Sequence, residues 1–258
     1  MIELDKVSCG YNKKEVLKDV SITVEPSKFT CLLGKNGAGK TTLFKTILRL
    51  LPLLEGEIRY DGIDGRKIPA KQFSKLISYV PQAHGTPFPY NAVDIVLMGQ
   101  YVHTPGISGK PSSKNRDIAM KCIASLGINY LAYRSFSTLS GGEKQLVLIA
   151  RAMAQQTKYI AMDEPTANLD LGNQAMVLQT AAMLKEKGYG ILMNTHSPQQ
   201  ALQYADVVIL LKDGRISESG NPYKILQTKT ISDLYDAPLE IIEACTSLGD
   251  KRKILINL

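Results

Sequence analysis

Eight consecutive residues, Gly34-Lys35-Asn36-Gly37-Ala38-Gly39-Lys40-Thr41, form the part of the chain best suited to holding a polyanion. Glycines let the backbone turn its N–H groups toward one anion, and a helix opening at Lys40 would add the positive end of its dipole. Lys40 offers a point charge to the β- and γ-phosphates of a nucleotide, and the Thr41 hydroxyl is a hard oxygen suited to Mg²⁺. Such spacing has this meaning only between a strand and a helix. Phe29 to Leu33 is an apolar, strand-like run. From Lys40 to Leu51, the residues Leu43, Phe44, Ile47, Leu48 and Leu51 recur at helical spacing until Pro52. The flanks favour a phosphate site over a glycine turn before an ordinary helix, and Thr42 belongs with the phosphate-binding set.

A second constellation lies at Tyr159-Ile160-Ala161-Met162-Asp163-Glu164, an apolar strand ending in two acids. In a parallel sheet the carboxyl ends of the strands face the ligand crevice, so both acids are expected beside the phosphates. Asp163 would hold Mg²⁺, directly or through water. Glu164 would orient and deprotonate the attacking water. A solvated acidic pair is the plainer alternative, which the phosphate loop disfavours.

Leu139-Ser140-Gly141-Gly142-Glu143-Lys144-Gln145 resembles the signature motif of the ATP-binding cassette (ABC) ATPases. Its glycines at a helix start make a second anion nest, and one ATP cannot use both nests on its γ-phosphate from the same side. The resemblance implies two cassettes joined head to tail, with Ser140, Gly141 and Gly142 closing on the partner's ATP. It also implies roles for single residues. Tyr11 resembles the aromatic that stacks on adenine. Gln82, in Tyr79-Val80-Pro81-Gln82, resembles the glutamine that contacts Mg²⁺ and water and senses the membrane partner. Asp170, in Asn168-Leu169-Asp170, resembles the residue that organises the dimer interface, a role compatible with capping a helix. His196, after the strand Gly190 to Asn194, resembles the histidine near the γ-phosphate, whereas His84 and His103 read as surface or coupling residues. The likeness spans about residues 1 to 225. Asn168 and Lys144 depart from the commoner residues at their positions without touching the chemistry. The expected catalytic set is Glu164, His196, Lys40 and Gln82; Thr41, Gln82 and Asp163 are the expected Mg²⁺ ligands, and ATP and Mg²⁺ the cofactors.

The elements that must position these groups follow from periodicity. Strand-like runs at Ile2 to Val7, Leu17 to Val24, Gly56 to Tyr60 and Ile77 to Val80 precede a helical region, in which Asn91 to Met98 and Lys114 to Ser125 are helices. Thr104 to Ser113 reads as a surface loop. Helices then alternate with the short strands Tyr159 to Met162, Gly190 to Asn194 and Val207 to Leu211, the pattern of a parallel sheet. Leu239 to Cys245 and Lys253 to Leu258 read as a hairpin, with Lys251-Arg252-Lys253 as its turn. The expected fold is α/β: a RecA-like P-loop NTPase core with an antiparallel β-subdomain and an inserted α-helical subdomain, as in ABC ATPases. A single nucleotide-binding domain is expected over 1–258, with core 1–84 and 139–225, helical subdomain 85–138 and C-terminal extension 226–258.

The chain has 258 residues, of which 44% are apolar, enough for a sizeable core. No apolar run is long enough to span a membrane, and the N-terminus lacks a secretory layout. Four scattered cysteines show no metal-ligand spacing. The net charge of +7 is dispersed and reads as a solvated surface, with no nucleic-acid partner expected. One cassette without membrane helices implies two separate integral-membrane permease subunits, a second copy of the chain and, indirectly, an extracytoplasmic substrate-binding protein. The expected location is peripheral, on the cytoplasmic face of the cell membrane. Val93 to Gly99 with Tyr101-Val102-His103, Leu146 to Ala152, Leu169 to Gln174 and Leu234 to Pro238 resemble the importer subgroup for iron-siderophores, haem, cobalamin and metal oxyanions. The alternatives are an exporter or lipid- or lipoprotein-extracting cassette, and a soluble ABC ATPase acting on DNA or ribosomes.

Overall fold

Alternating apolar residues build the first hairpin, β1 (Ile2–Tyr11) and β2 (Lys14–Val24), where Ile2 pairs with Val24 and Leu4 with Ile22. The computed structural model describes residues 1–12, 14–82, 90–104, 111–245 and 251–257. Ile2, Leu4, Val7, Leu17, Val20 and Val24 are buried, as a sheet with one face on the core requires. β3 (Phe29–Leu33) is buried at every position and leads through the glycine loop into α1 (Lys40–Ile47). β4 (Leu53–Tyr60) and β5 (Ile63–Asp64) then complete an antiparallel sheet in the order β2-β1-β4-β5.

α1 stops at Ile47, short of the expected Leu51. Arg49 takes a left-handed φ of 56°, and the N–H groups of Leu50 and Leu51 both turn back to the Lys45 carbonyl, at 2.8 and 3.2 Å. That 6→1 type of closure satisfies orphan carbonyls without the glycine that normally announces it.

Two compact units emerge: Met1–Gly65 with Leu192–Leu258, and Arg66–Ile191. The second contains α2 (Ala70–Phe73), β6 (Ile77–Val80), α3 (Ala92–Leu97), α4 (Ser113–Ser125), α5 (Gly141–Ala154), β7 (Tyr159–Asp163) and α6 (Leu171–Glu186). β6 and β7 are parallel, with Ile77 opposite Tyr159 and Val80 opposite Met162. α4 is capped by Ser112, which exchanges hydrogen bonds with Asn115. His103 packs within this unit, its Nε2 2.9 Å from the Gln155 carbonyl. His84 lies outside the described residues.

β8 (Gly190–Thr195) carries the chain back into the first unit. There follow α7 (Pro198–Tyr204), β9 (Val207–Lys212), β10 (Arg215–Gly220), α8 (Pro222–Ile225), α9 (Thr228–Tyr235), β11 (Leu239–Cys245) and β12 (Lys251–Asn257). Within this unit the strands run β10-β9-β3-β8, with β3 parallel to β9 and β9 antiparallel to β10. β11 and β12 form a separate hairpin. Lys251-Arg252-Lys253 is not its turn but the start of β12, where Lys253 pairs with Glu243. Opposite charges facing each other across the strands suit that register.

Candidate functional site

In the first unit the phosphate loop is set by two close approaches. Gly34 runs so near β9 that a β-carbon there would lie 2.3 Å from the Leu211 carbonyl oxygen, so only glycine fits. Gly39, the residue before α1, has a φ of 100° that disfavours any side chain. Lys40 is only 5% exposed, and its Nζ donates to the Gly34 and Lys35 carbonyls at 2.8 and 2.9 Å. Its charge is thus folded back across the loop. Thr41 is exposed on the first turn of α1, whereas Thr42 is buried. Asn36 and Gly37 are exposed, and Ala38 donates its N–H to the Lys35 carbonyl at 3.2 Å.

Lys35 to Ala38 form one wall of a cavity of about 590 Å³, completed by Val16, Leu211 to Gly214, Leu234 and Asp236. Asp236 forms an ion pair with Lys35, which holds its carboxyl below the usual range. Tyr11 closes β1 in an exposed position, 44% accessible. His196 is exposed in the bend after β8, and its carbonyl accepts the Tyr235 hydroxyl at 2.7 Å.

The second unit holds the acids and the other glycine nest. Asp163 is half-buried at the end of β7, and the Tyr79 hydroxyl donates to its Oδ2 at 3.5 Å. Burial, with the Asp163 charge added, pushes the Tyr79 phenol up to about 12, so it remains a donor at neutral pH. Glu164 follows with a φ of 43°, a left-handed conformation that costs a non-glycine residue on the order of 1 kcal/mol. A turn closed by Ala167 N–H on the Glu164 carbonyl at 3.1 Å holds it there. Gln82 is half-buried after β6, beside Pro81, whose carbonyl accepts Gln145 Nε2 at 3.3 Å. That contact links α5 to the Gln82 segment.

Ser140 caps α5 in a reciprocal box. The Glu143 N–H reaches Ser140 Oγ at 3.2 Å, and Ser140 N–H donates to Glu143 Oε2 at 2.8 Å. The Ser140 amide lowers the Glu143 carboxyl below its ordinary value, helped by Arg134 at 3.3 Å. Asp170 caps α6: it accepts the Asn173 N–H at 2.8 Å and Asn173 Nδ2 at 2.7 Å, contacts that lower its carboxyl below the ordinary value. Asn173 also lies against Gly142, where a β-carbon would come within 2.1 Å of its Oδ1.

Gly34 to Thr42, Tyr11 and His196 therefore belong to the first unit. Gln82, Ser140 to Gly142, Asp163, Glu164 and Asp170 belong to the second. Sequence reasoning missed Tyr235 and Asp236, which come from α9 to His196 and the loop. It also missed Tyr79 behind Asp163 and Asn173 between Asp170 and Gly142. The Ser-x-x-Glu spacing of Ser140 and Glu143 was available as a capping signal. The run Leu234 to Pro238 marks the segment but not the pairing of Asp236 with Lys35.

The family model described as ABC transporter matches residues 17–167. The chain belongs to the ABC transporter family. It is an ATP-binding ABC cassette that hydrolyses ATP, built on the P-loop NTPase fold with a parallel-sheet core and a helical insert. The chain is 34% identical over 244 residues to a Helicobacter pylori protein described as an iron chelatin transport ATP-binding protein, covering 94% of this chain and 95% of the relative. It is 39% identical over 212 residues to the manganese transport system ATP-binding protein MntB of Bacillus subtilis, with 81% and 82% covered. Among solved structures it resembles an ABC transporter described as of metal-chelate type in an inward-facing conformation. The likeness has a TM-score of 0.88 and 30% identity, covering 100% of this chain and 97% of that one. Among the described residues, no helix of this ABC cassette is long and apolar enough to cross a membrane.

Proposed function

We propose that this cassette powers the import of a metal chelate through a separate membrane permease, working as a homodimer on the cytoplasmic face of the membrane. The observation that carries the reading is the pair of glycine nests at helix N-termini, Gly37 to Gly39 before α1 and Gly141-Gly142 after the Ser140 cap of α5. Each suits a phosphate, and one ATP uses one nest from each of two copies. The iron chelatin relative and the metal-chelate type transporter support the cargo class.

In this reading Tyr11 stacks on adenine, and Gly34 to Thr42, including Lys35, Asn36 and Ala38, hold the phosphates. Lys40 exchanges its loop carbonyls for the β- and γ-phosphates. Glu164, held in a left-handed backbone conformation, takes a proton from the attacking water. His196 holds the γ-phosphate side, and Ser140, Gly141 and Gly142 receive the partner's ATP, with Asp170 at the interface. Thr41, Asp163 and Gln82 offer hard oxygens that suit Mg²⁺. When bound, Mg²⁺ neutralises charge on the phosphates. Gln82 reports nucleotide state to the permease, which a substrate-binding protein loads from outside.

Co-purification with an integral-membrane subunit, followed by uptake into proteoliposomes with the binding protein, tests this. ATP-dependent entry of an iron chelate is expected. The manganese relative favours one second reading, a free metal ion as cargo. Uptake of Mn²⁺ but of no chelate would select it, and outward transport would overturn both.

A further inference from the structure

α9 ends at two residues that touch both phosphate-side groups of the first unit. The Tyr235 hydroxyl donates to the His196 carbonyl at 2.7 Å, and Asp236 pairs with Lys35 in the phosphate loop. The helix is anchored from behind. Ser232 Oγ donates to the Leu239 carbonyl at 2.7 Å, and Ile241 N–H donates to Thr228 Oγ1 at 3.0 Å, fastening α9 to β11. The hairpin also grips the segment after His196, because Leu255 N–H donates to Gln199 Oε1 at 2.9 Å. Asp236 itself caps α9 in a left-handed conformation, φ 46° and ψ 47°, which turns the chain sharply at the contact. The bend at His196 is thus held by α9, and the start of α7 just after it by β12.

We infer that the C-terminal helix and hairpin are a clamp on the reaction site, in which Tyr235 is the positioning residue for His196 and Asp236 is a counter-charge that restrains Lys35. This rests on the reading of His196 and the phosphate loop given above. A tyrosine hydroxyl bonded to a main-chain carbonyl does not touch nucleotide; it fixes where the imidazole stands. Burial pushes the Tyr235 phenol far up, so it stays an O–H donor at every working pH. Asp236 is 71% exposed at the side chain, so its pair with Lys35 is weak enough for an arriving polyphosphate to compete with it.

The test uses the full-length chain. It has three histidines, so a His196→Gln variant assigns the His196 imidazole resonances by NMR. Tyr235→Phe removes one hydroxyl and keeps the ring. It is expected to shift or broaden the His196 resonances and to lower kcat roughly two- to ten-fold, the worth of one neutral hydrogen bond, with KM for ATP unchanged. Asp236→Asn is expected to tighten ATP binding roughly two- to five-fold at low salt, a gain that disappears at high salt. Unchanged His196 resonances in Tyr235→Phe overturn the positioning role, and unchanged, salt-independent affinity in Asp236→Asn overturns the counter-charge. His196→Ala judges the underlying reading separately: a wild-type rate there removes His196 from the reaction, while the His196 resonances of Tyr235→Phe still report the clamp.

Discussion

Gly142 and Asn173 interlock: a β-carbon on Gly142 would stand 2.1 Å from Asn173 Oδ1, and the same asparagine donates its Nδ2 to Asp170 at 2.7 Å. One side chain therefore joins the cap of α6 to the glycine turn that opens α5. Nothing larger than hydrogen fits at Gly142 unless Asn173 leaves Asp170.

Gly142→Ala should therefore destabilise the chain by about 1–3 kcal/mol, the usual cost of overpacking a closed site. Adding Asn173→Ala should recover most of that loss, since the two residues are in direct contact and their effects are not additive. Thermal or urea unfolding of the two single variants and the double variant measures the coupling. A double variant no more stable than the sum of the singles would show that Asn173 is not what fills the space.

Lys40→Ala should weaken ATP binding by about 2–3 kcal/mol, roughly 30- to 150-fold, the range for a charge-assisted hydrogen bond to an anion. The fold should survive, because the carbonyls to which Lys40 donates, Gly34 and Lys35, belong to its own loop. Equilibrium binding of a fluorescent ATP analogue, with circular dichroism as the folding control, gives the answer. Full affinity in the variant would remove Lys40 from the phosphate site.

Acid should loosen the start of α5. The Glu143 carboxyl is lowered in the folded chain, first by the Ser140 amide, so the sign follows from linkage. Its contribution is complete above the unfolded carboxylate value and is lost as pH falls through the lowered folded value. Glu143→Gln should thus be less stable than the native chain at neutral pH, and the gap should narrow as pH drops below about 4. Unfolding curves for both proteins across pH 3 to 7 check it, and a gap that widens in acid would reverse the assignment.

What the sequence could disclose follows the range of the interactions. Phe29–Leu33 and Ile77–Val80 have the bounds that their apolar runs imply, because burial on both faces leaves a continuous signal. The end of α1 was illegible: Leu48 and Leu51 continue the apolar pattern, but Arg49 turns left-handed with no glycine to mark it. The Lys251-Arg252-Lys253 cluster looked like a turn because charge is commonest there, yet Glu243 across the hairpin makes it strand. At the site, the phosphate loop and the acids Asp163 and Glu164 stand out in the sequence because the chemistry proposed for them demands fixed local spacing. Asp236 pairs with Lys35 across 201 positions, a separation over which spacing carries no signal. Tyr235 is hidden in the same way.

Glu164→Gln is the most direct test of the reaction. The substitution keeps the length and shape of the side chain and the left-handed backbone at φ 43°, so the turn closed by Ala167 should persist. What it removes is the carboxylate that can accept a proton from water. Loss of a positioned general base is worth roughly 10²–10⁴ in rate, so hydrolysis should fall by at least about 100-fold. ATP would still bind the loop around Lys40, and with hydrolysis blocked the closed pair of cassettes should accumulate. Light scattering with and without ATP would then show a nucleotide-dependent shift from one copy to two. A Glu164→Gln protein that stayed monomeric with ATP and still hydrolysed it at the native rate would remove Glu164 as the base, and with it the reason to place the attacking water at the end of β7.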